Sequence, residues 1–279
     1  MIGYSAGELA CGYTDGCLTQ EEALLLSYYQ GKSYNDVQAV GDAMASVGIS
    51  WEEATNLCPP GVFPACNNAK DNVTVAGKLQ AVTTFVEQLK SEGISGRVIQ
   101  SYGISPHRGQ ENNAVYGPMR SYFEKILGGS SKSRGARWIS SSVPESEWTT
   151  ERARSSAQYY VNNLQSPVLF YEAMRHVPED AIVVEIGLSA LLKPLLKRSL
   201  DPTRLLSVTN KAGDDHGASF LGCVGELFTL GVDMDVSGMF SRVPMPAPST
   251  TADIGHLVTW NHDHSWGTYV ITYPKVISD

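Results

Sequence analysis

The chain has 279 residues, of which 42% are hydrophobic and 18% charged, and its formal net charge is −8. A chain of this length can bury one large core or two smaller ones. The acidic balance, without a local run of Lys or Arg, disfavours nucleic-acid binding. No stretch approaches the roughly 18 uninterrupted apolar residues of a membrane span, and the N-terminus lacks the regions of a signal peptide. We therefore expect a cytoplasmic protein with neither a membrane nor a nucleic-acid partner.

The cysteines and histidines give little sign of a metal or disulfide framework. An odd number of cysteines at irregular spacing favours reduced thiols, and without a CxxC pair no zinc site is indicated. The histidines near the C-terminus leave a metal site open, but their segment has the composition of a tail, so we predict none. These residues are Cys11, Cys17, Cys58, Cys66 and Cys223, and His256, His262 and His264.

Residues 3–7 have the pattern Gly-x-Ser-x-Gly, with the serine at position 5. This is the pattern of a nucleophile elbow, a sharp turn between a strand and a helix that exposes a serine hydroxyl. Glycines flank the serine because the turn leaves little room for a Cβ atom. The backbone N–H of the next residue, Ala6, points to where an oxyanion would form. The pattern alone is weak, since 26 glycines and many serines can produce it by chance. It nominates Ser5 as nucleophile and Ala6 as a substrate-binding residue.

The first long helix is predicted from its capping box. Thr19 with Glu22 three residues later is typical of a helix start. The helix is expected from residue 20 to about residue 30, with Gly31 as a left-handed end. Its apolar residues cover most of its circumference, so we expect it to be buried.

Residues 41–106 alternate in the order strand, helix, strand, strand, helix, strand. A second capping box, Ser50 with Glu53, opens the first of these helices. The second helix has apolar residues at helical spacing. The order βαββαβ is that of a ferredoxin-like split βαβ unit.

The remainder of the chain again alternates helices and strands. A helix is predicted over residues 114–127, and another starts at Ser166 with Pro167 in its first turn. Residues 181–186 form an apolar run typical of a strand buried on both faces. From residue 243 the composition becomes that of a proline-rich linker. The sequence thus predicts an α/β domain interrupted by a ferredoxin-like insert.

Several stretches carry a resemblance that covers nearly the whole chain: residues 3–16, 58–66 (CPPGVFPAC), 161–170 (VNNLQSPVLF) and 260–262. They resemble the malonyl/acetyl (acyl-carrier-protein) transacylase domain of animal-type, insect-like fatty acid synthase and related polyketide synthase acyltransferases. The resemblance implies an α/β-hydrolase-like acyltransferase core with a parallel sheet, interrupted by a ferredoxin-like βαββαβ subdomain. It implies that residues 1–40 and 107–240 form the core, 41–106 the subdomain, and 241–279 a linker toward a dehydratase region.

The resemblance also implies a mechanism and partners. Ser5 would attack an acyl-CoA thioester and pass the acyl group to the phosphopantetheine thiol of an acyl carrier protein. His107 would be the base, oriented by a backbone carbonyl, with Ser105 and Pro106 beside the substrate. No cofactor would be bound by this domain. Neighbouring ketosynthase and dehydratase domains are implied, as is a homodimer formed through other domains.

The chain departs from this family at four places. Tyr4 replaces the usual histidine before the nucleophile, and Ser105, Pro106 and Arg108 replace the usual residues around His107. Residues 187–189 lack the family's Pro-His. These three departures bear on catalytic efficiency. Gln30 stands where the family has the arginine that clamps the malonyl carboxylate, which bears on substrate choice.

Two other functions remain open from the sequence. One is a serine hydrolase that releases acyl groups to water, and the other is a degenerate synthase region that acts as a scaffold. Only Met1 and Ile2 precede Gly3, so the strand that should enter the elbow and an upstream glutamine of the oxyanion site are missing. The sequence therefore predicts an N-terminally truncated domain that aggregates or is molten when isolated.

Overall fold

The structure is a computed structural model that describes residues 1–37, 41–99, 114–187, 190–209, 215–239, 255–257, 259 and 263. The chain divides into two compact units, Met1–Glu226 and Leu227–Asp279. Within the described residues, none of the helices combines the length and the apolar composition needed to cross a membrane.

Two helices follow the N-terminal turn, α1 (Gly7–Thr14) and α2 (Gln20–Asp36). The predicted capping box opens α2: the Glu22 N–H donates to Thr19 Oγ1 at 3.1 Å, and Glu22 Oε2 accepts from the Thr19 N–H at 2.8 Å. The cap residue therefore identified the helix start correctly.

The predicted end and burial of α2 were wrong. The helix continues past Gly31 to Asp36, because Tyr34 packs into the core of the unit and outweighs the roughly 1 kcal/mol cost of a helical glycine. Leu24 and Tyr28 are 64% and 65% exposed. A wide apolar circumference therefore did not imply a buried helix.

Residues 42–99, called the ferredoxin-like unit below, contain four strands and two helices. The elements are β1 (Asp42–Val47), α3 (Trp51–Leu57), β2 (Val62–Ala69), β3 (Asn72–Lys78), α4 (Leu79–Ser91) and β4 (Gly96–Ile99). The strands form an antiparallel sheet in the order β2-β3-β1-β4. Helix α4 buries Val82, Phe85, Val86 and Leu89, the residues whose helical spacing predicted its buried face. With the order βαββαβ, this confirms the ferredoxin-like arrangement.

Beyond the ferredoxin-like unit and the first two helices, the described residues contain a parallel pair of strands, further helices and short 3₁₀ turns. Strands β5 (Val183–Glu185) and β6 (Leu205–Ser207) pair in parallel, and an isolated parallel bridge joins Ile2 to Ile139. The helices are α5 (Tyr116–Leu127), α6 (Ala157–Gln165), α7 (Phe170–Met174), α8 (Lys193–Leu196) and α9 (His216–Thr229). Short 3₁₀ turns occupy Glu145–Glu147, Glu151–Ala153, Pro202–Arg204, Val236–Met239 and Gly255–Leu257.

Two further predictions are corrected here. Ser166 ends α6, since its N–H donates to the Asn162 carbonyl at 2.8 Å, and the next helix starts only at Phe170. Pro167 follows the end of α6. Because α6 was not predicted, the proline was assigned to the first turn of a new helix. The apolar run at residues 181–186 is not buried on both faces, because Ile186 is 84% exposed.

Two apolar clusters lie on opposite faces of the four-stranded sheet. One packs the sheet against α3 and α4, with Val47, Val75 and Phe85 among its members. The other joins Ala65, Cys66 and Ala76 of the sheet to Val168 and Phe170 of the surrounding core, with Tyr4 packed against it. The second cluster is where the ferredoxin-like unit meets the part of the chain that holds the elbow.

Candidate active site

Ser5 has the backbone of a nucleophile elbow. It is the one non-glycine residue among those described with a left-handed conformation, at φ 53°. The Gly7 N–H donates to the Tyr4 carbonyl at 2.9 Å, and the Glu8 N–H donates to the Ser5 carbonyl at 3.1 Å. A left-handed L-residue costs about 1–2 kcal/mol and persists where the surroundings over-determine it, often at functional sites. The elbow predicted from residues 3–7 is therefore present, with Ser5 at its strained position.

The two glycines of the motif have different reasons to be glycine. A Cβ at Gly3 would lie 2.5 Å from the Glu8 nitrogen, whereas a Cβ at Gly7 would meet nothing within 4 Å. Only the first is required by space. Ala6 is exposed and is the N-cap residue of α1, so its backbone N–H belongs to the positive end of that helix. This is the position where an oxyanion donor is expected.

A buried carboxylate fixes the elbow from behind. Glu8 is fully buried. Its Oε2 accepts from Trp138 Nε1 at 2.8 Å and from the Tyr159 hydroxyl at 2.6 Å. Its Oε1 accepts from the Ser141 N–H at 2.8 Å. The Ser141 hydroxyl lies 3.0 Å from Oε1 and 2.6 Å from the Gly3 carbonyl oxygen, and its single proton serves one of them. Glu8, Trp138, Ser141 and Tyr159 are called the Glu8 network below.

Burial raises the pKa values of two groups of this network, Glu8 and Tyr159. Desolvation raises the pKa of Glu8 above its usual 4.5, although the hydrogen bonds from Tyr159, Ser141 and Trp138 lower it in part. Burial and the nearby Glu8 raise the pKa of Tyr159 well above 10. Arg134 lies over the Trp138 and Tyr159 rings, 5.2 and 5.7 Å from their centroids, and lowers the pKa of Tyr159 in part. The four side chains of the Glu8 network are buried, so we assign them the structural role of holding the elbow in place.

The motif at residues 161–170 also acts structurally. Asn162 Nδ2 donates to the Ser142 carbonyl at 2.9 Å, and Asn163 Nδ2 donates to Ser142 Oγ at 2.6 Å. Ser142 directly follows Ser141 of the Glu8 network. These asparagines therefore fix the segment against which the elbow is held.

The other predicted site residues are placed unequally. Ser105, Pro106, His107 and Arg108 lie outside the described residues, so the serine–histidine pair stays a prediction. Of residues 187–189, only Gly187 lies within the described part of the chain. Gln30 is half-buried, six residues before the end of α2. It is therefore an interior position of the helix rather than its end.

Sequence reasoning missed most of the Glu8 network. Trp138, Ser141 and Tyr159 lie at least 130 residues from Glu8 along the chain, and no local pattern connects them. The one local signal was Glu8 itself, an acidic residue that directly follows the elbow motif. Among the described residues no group of three or more His, Cys, Asp or Glu side chains could hold a metal ion.

Comparison with known protein families identifies the family of enzymes to which this chain belongs. The acyl transferase domain family matches residues 1–234. The chain belongs to this family. It is an acyltransferase domain of the kind found in polyketide and fatty acid synthase-type megasynthases, and hence a transferase.

Curated relatives are fungal reducing polyketide synthases. The chain is 26% identical over 289 residues to the highly reducing polyketide synthase sphB of Aspergillus fumigatus, covering 95% of the chain and 10% of the relative. It is 33% identical over 253 residues to the highly reducing polyketide synthase resH of Aspergillus sclerotiorum, covering 85% and 10%. The chain thus spans about a tenth of the length of these relatives. They show a megasynthase domain without singling out animal-type fatty acid synthase.

Solved acyl transferase domains share the fold. The acyl transferase domain of ZmaA aligns with a TM-score of 0.70 at 20% identity, covering 89% of this chain and 58% of that one. The acyltransferase domain of an iterative polyketide synthase in enediyne biosynthesis aligns with a TM-score of 0.66 at 21% identity, covering 86% and 62%. These likenesses confirm the predicted fold class, an acyltransferase core with a ferredoxin-like subdomain.

Proposed function

We propose that this domain is an acyl-CoA:acyl-carrier-protein transacylase that transfers acetyl or malonyl groups through an acyl ester on Ser5. The observation that carries the proposal is the left-handed Ser5 at the start of α1, within a chain of the acyl transferase family. Ser5 directly precedes the N-cap residue of α1, and the N-terminus of a helix favours developing negative charge.

The reaction has two balanced half-steps. Ser5 Oγ attacks the thioester carbonyl carbon, the C–S bond breaks, and CoA leaves as a thiol with the proton taken from serine by a base. A phosphopantetheine thiol on a carrier protein then gives its proton to the base and attacks the ester carbonyl carbon. A new C–S bond forms, the ester C–O bond breaks, and Ser5 Oγ takes the proton from the base. The base proposed is His107, with Ser105 and Pro106 beside the acyl group. No cofactor is needed by the domain itself.

The same proposal extends to partners. An acyl transferase domain of a megasynthase acts beside carrier-protein and ketosynthase domains, and we propose a dehydratase neighbour, cytoplasmic location and a homodimer formed through other domains. The resemblance at residues 161–170 supports a fatty acid synthase of the animal type. Offering the acyl enzyme carrier domains from such a synthase and from a reducing polyketide synthase, and comparing kcat/KM, would distinguish the two.

Labelled acetyl-CoA and malonyl-CoA test the chemistry. A complete version of this domain is expected to become labelled and to pass the label to a carrier protein. Ser5→Ala should abolish labelling, while the control Ser121→Ala, an exposed serine of α5, should leave it unchanged. Release of free acid without carrier labelling would indicate a hydrolase, and absence of any Ser5-dependent reaction would indicate a scaffold. Labelling that survives Ser5→Ala would end the proposal.

A further inference from the structure

One side chain next to the nucleophile reaches the ferredoxin-like unit. Tyr4 precedes Ser5 in the elbow, and its hydroxyl donates to Asn68 Oδ1 at 2.8 Å. The Tyr4 ring meets the Phe170 ring edge-on, with centroids 5.1 Å apart. Asn68 lies near the end of β2 and is 4% exposed. A part-buried hydrogen bond therefore joins the elbow directly to the sheet.

The acceptor of this hydrogen bond is itself fixed by three strands. Asn68 Nδ2 donates to Asn72 Oδ1 at 3.0 Å and to Thr74 Oγ1 at 2.9 Å, both on β3. Asn72 Nδ2 donates to Ser46 Oγ on β1 at 3.0 Å. Because an amide has two N–H donors and one carbonyl oxygen, these contacts leave the Asn68 oxygen facing Tyr4. The Tyr4 hydroxyl thus bonds to an oxygen whose position the whole sheet determines.

The other contacts that join the sheet to the core differ in kind from the Tyr4–Asn68 hydrogen bond. Strand β2 exchanges backbone hydrogen bonds with Val168, at 2.8 and 3.0 Å, and the surrounding cluster is apolar. Apolar packing is non-directional, whereas a hydrogen bond restrains distance and angle. The Tyr4–Asn68 contact is therefore a directional restraint that starts one residue from Ser5.

The placement of the sheet matters for the predicted base. Strand β4 ends at Ile99, and His107 belongs to the segment that follows in the sequence. How the sheet sits relative to Ser5 consequently affects where that segment begins. Misplacing reacting groups by about 1 Å can cost about 100-fold in rate.

We propose that Tyr4 is a positioning residue, which acts through Asn68 to hold the ferredoxin-like unit in the geometry that acyl transfer from Ser5 requires. The inference rests on the proposed transacylase function. A restraint of this kind acts on the reacting geometry more than on substrate affinity. Its loss should therefore lower kcat while leaving KM nearly unchanged.

A double-mutant cycle tests this. Tyr4→Phe, Asn68→Ala and their combination are compared with Ser46→Ala, which removes the far end of the same network without touching Tyr4. Two rates are measured on a complete version of the domain: acylation by labelled acetyl-CoA, and modification of Ser5 by a fluorophosphonate, which needs only an activated serine. Melting temperatures report the folded fraction of each variant.

Tyr4→Phe should lower both rates about tenfold with KM within about twofold. Asn68→Ala also removes the hydrogen bonds to Asn72 and Thr74 and should lower both rates at least as much. The double variant should be no slower than Asn68→Ala, since both changes remove the Tyr4–Asn68 hydrogen bond. Ser46→Ala should leave both rates within about twofold of the native values.

Native rates in Tyr4→Phe, or losses that multiply in the double variant, would overturn the inference. If Tyr4→Phe does not fold, Asn68→Ala tests the same contact from its other side. Fluorophosphonate labelling without acyl transfer would refute the transacylase function while still testing Tyr4, and no Ser5-dependent reaction of either kind would refute both.

Discussion

The ferredoxin-like unit and the elbow are stabilised by different kinds of contact. In the unit, an amphipathic helix with Phe85 and Leu89 at helical spacing packs on the alternating apolar residues of a sheet. At the elbow, the fully buried carboxylate of Glu8 collects hydrogen bonds from Trp138, Ser141 and Tyr159. Apolar packing scales with buried area and tolerates small adjustments, whereas a buried polar group is costly unless every partner is in place. The contacts of the ferredoxin-like unit therefore contribute mainly to its stability, whereas those of the elbow also restrain its geometry.

The largest effect on folding is expected from Phe85→Ala. This side chain is 2% exposed, and removing it leaves a cavity between α4 and the sheet. The free energy of unfolding should fall by about 3–5 kcal/mol, measured by urea denaturation. Thr84→Ala, at the exposed neighbour on the same helix, should change it by less than about 0.5 kcal/mol. A fall in the free energy of unfolding smaller than that for removal of one buried methylene group, about 0.8 kcal/mol, would show that the unit does not depend on this core.

A smaller effect is expected from Glu8→Gln, which preserves shape and removes only the charge and half of the acceptors. The amide would place an N–H₂ group against donors that now bond to a carboxylate oxygen, so about 1–3 kcal/mol of stability should be lost. The exposed Glu21→Gln is the matched control and should be nearly neutral. Equal stability of Glu8→Gln and Glu21→Gln would contradict a polar anchor beneath the elbow.

The same variant has a pH signature. The pKa of Glu8 is raised above 4.5 by burial, so in the window upward from about 4.5 the unfolded chain has released a proton that the folded chain retains. Stability then falls as pH rises through this window and levels off above the folded pKa. The difference in unfolding free energy between the native chain and Glu8→Gln should decrease accordingly in urea titrations from pH 4.5 to about 8. A difference that grows with pH would mean that the donors outweigh burial.

The sequence predicted the ferredoxin-like unit far better than the surroundings of the elbow. Ser50 with Glu53 marked the start of α3, and the spacing of Val82 and Phe85 marked the buried face of α4; both signals lie within a few residues of what they describe. The turn at Ser5 was equally visible, because its glycine at position 3 answers a local steric need. Features of this kind depend on residues close together in the sequence, and they could therefore be predicted from it.

Long-range contacts account for what sequence reasoning missed. Gly31 had the character of a helix end, but the packing of Tyr34 extends α2 beyond it. Ser141 and Tyr159 show no sign in their own neighbourhoods that they bond to Glu8. Such tertiary contacts override local propensity, and only the folded chain brings the partners together.

The smallest effect on folding and the most informative effect on selectivity are expected from Gln30→Arg. Gln30 is a half-buried interior residue of α2, and arginine and glutamine have similar helix propensities, so stability should change by less than about 0.5 kcal/mol. A guanidinium can pair with the malonyl carboxylate through two charge-assisted hydrogen bonds, which an amide cannot reproduce. A malonyl group beside Gln30 would leave a desolvated anion poorly compensated, whereas a neutral acetyl group loses nothing.

A complete version of this domain should therefore prefer acetyl-CoA to malonyl-CoA, and Gln30→Arg should shift the ratio of kcat/KM toward malonyl-CoA by about tenfold. Gln88→Arg, on the exposed face of α4, adds the same charge away from α2 and should leave the ratio unchanged. An equal shift in both variants would mean that net charge alone attracts the anionic substrate. Efficient malonyl transfer by the native chain, unimproved by arginine at position 30, would mean that another side chain binds the carboxylate and that Gln30 is a residue of the helix without a role in substrate choice.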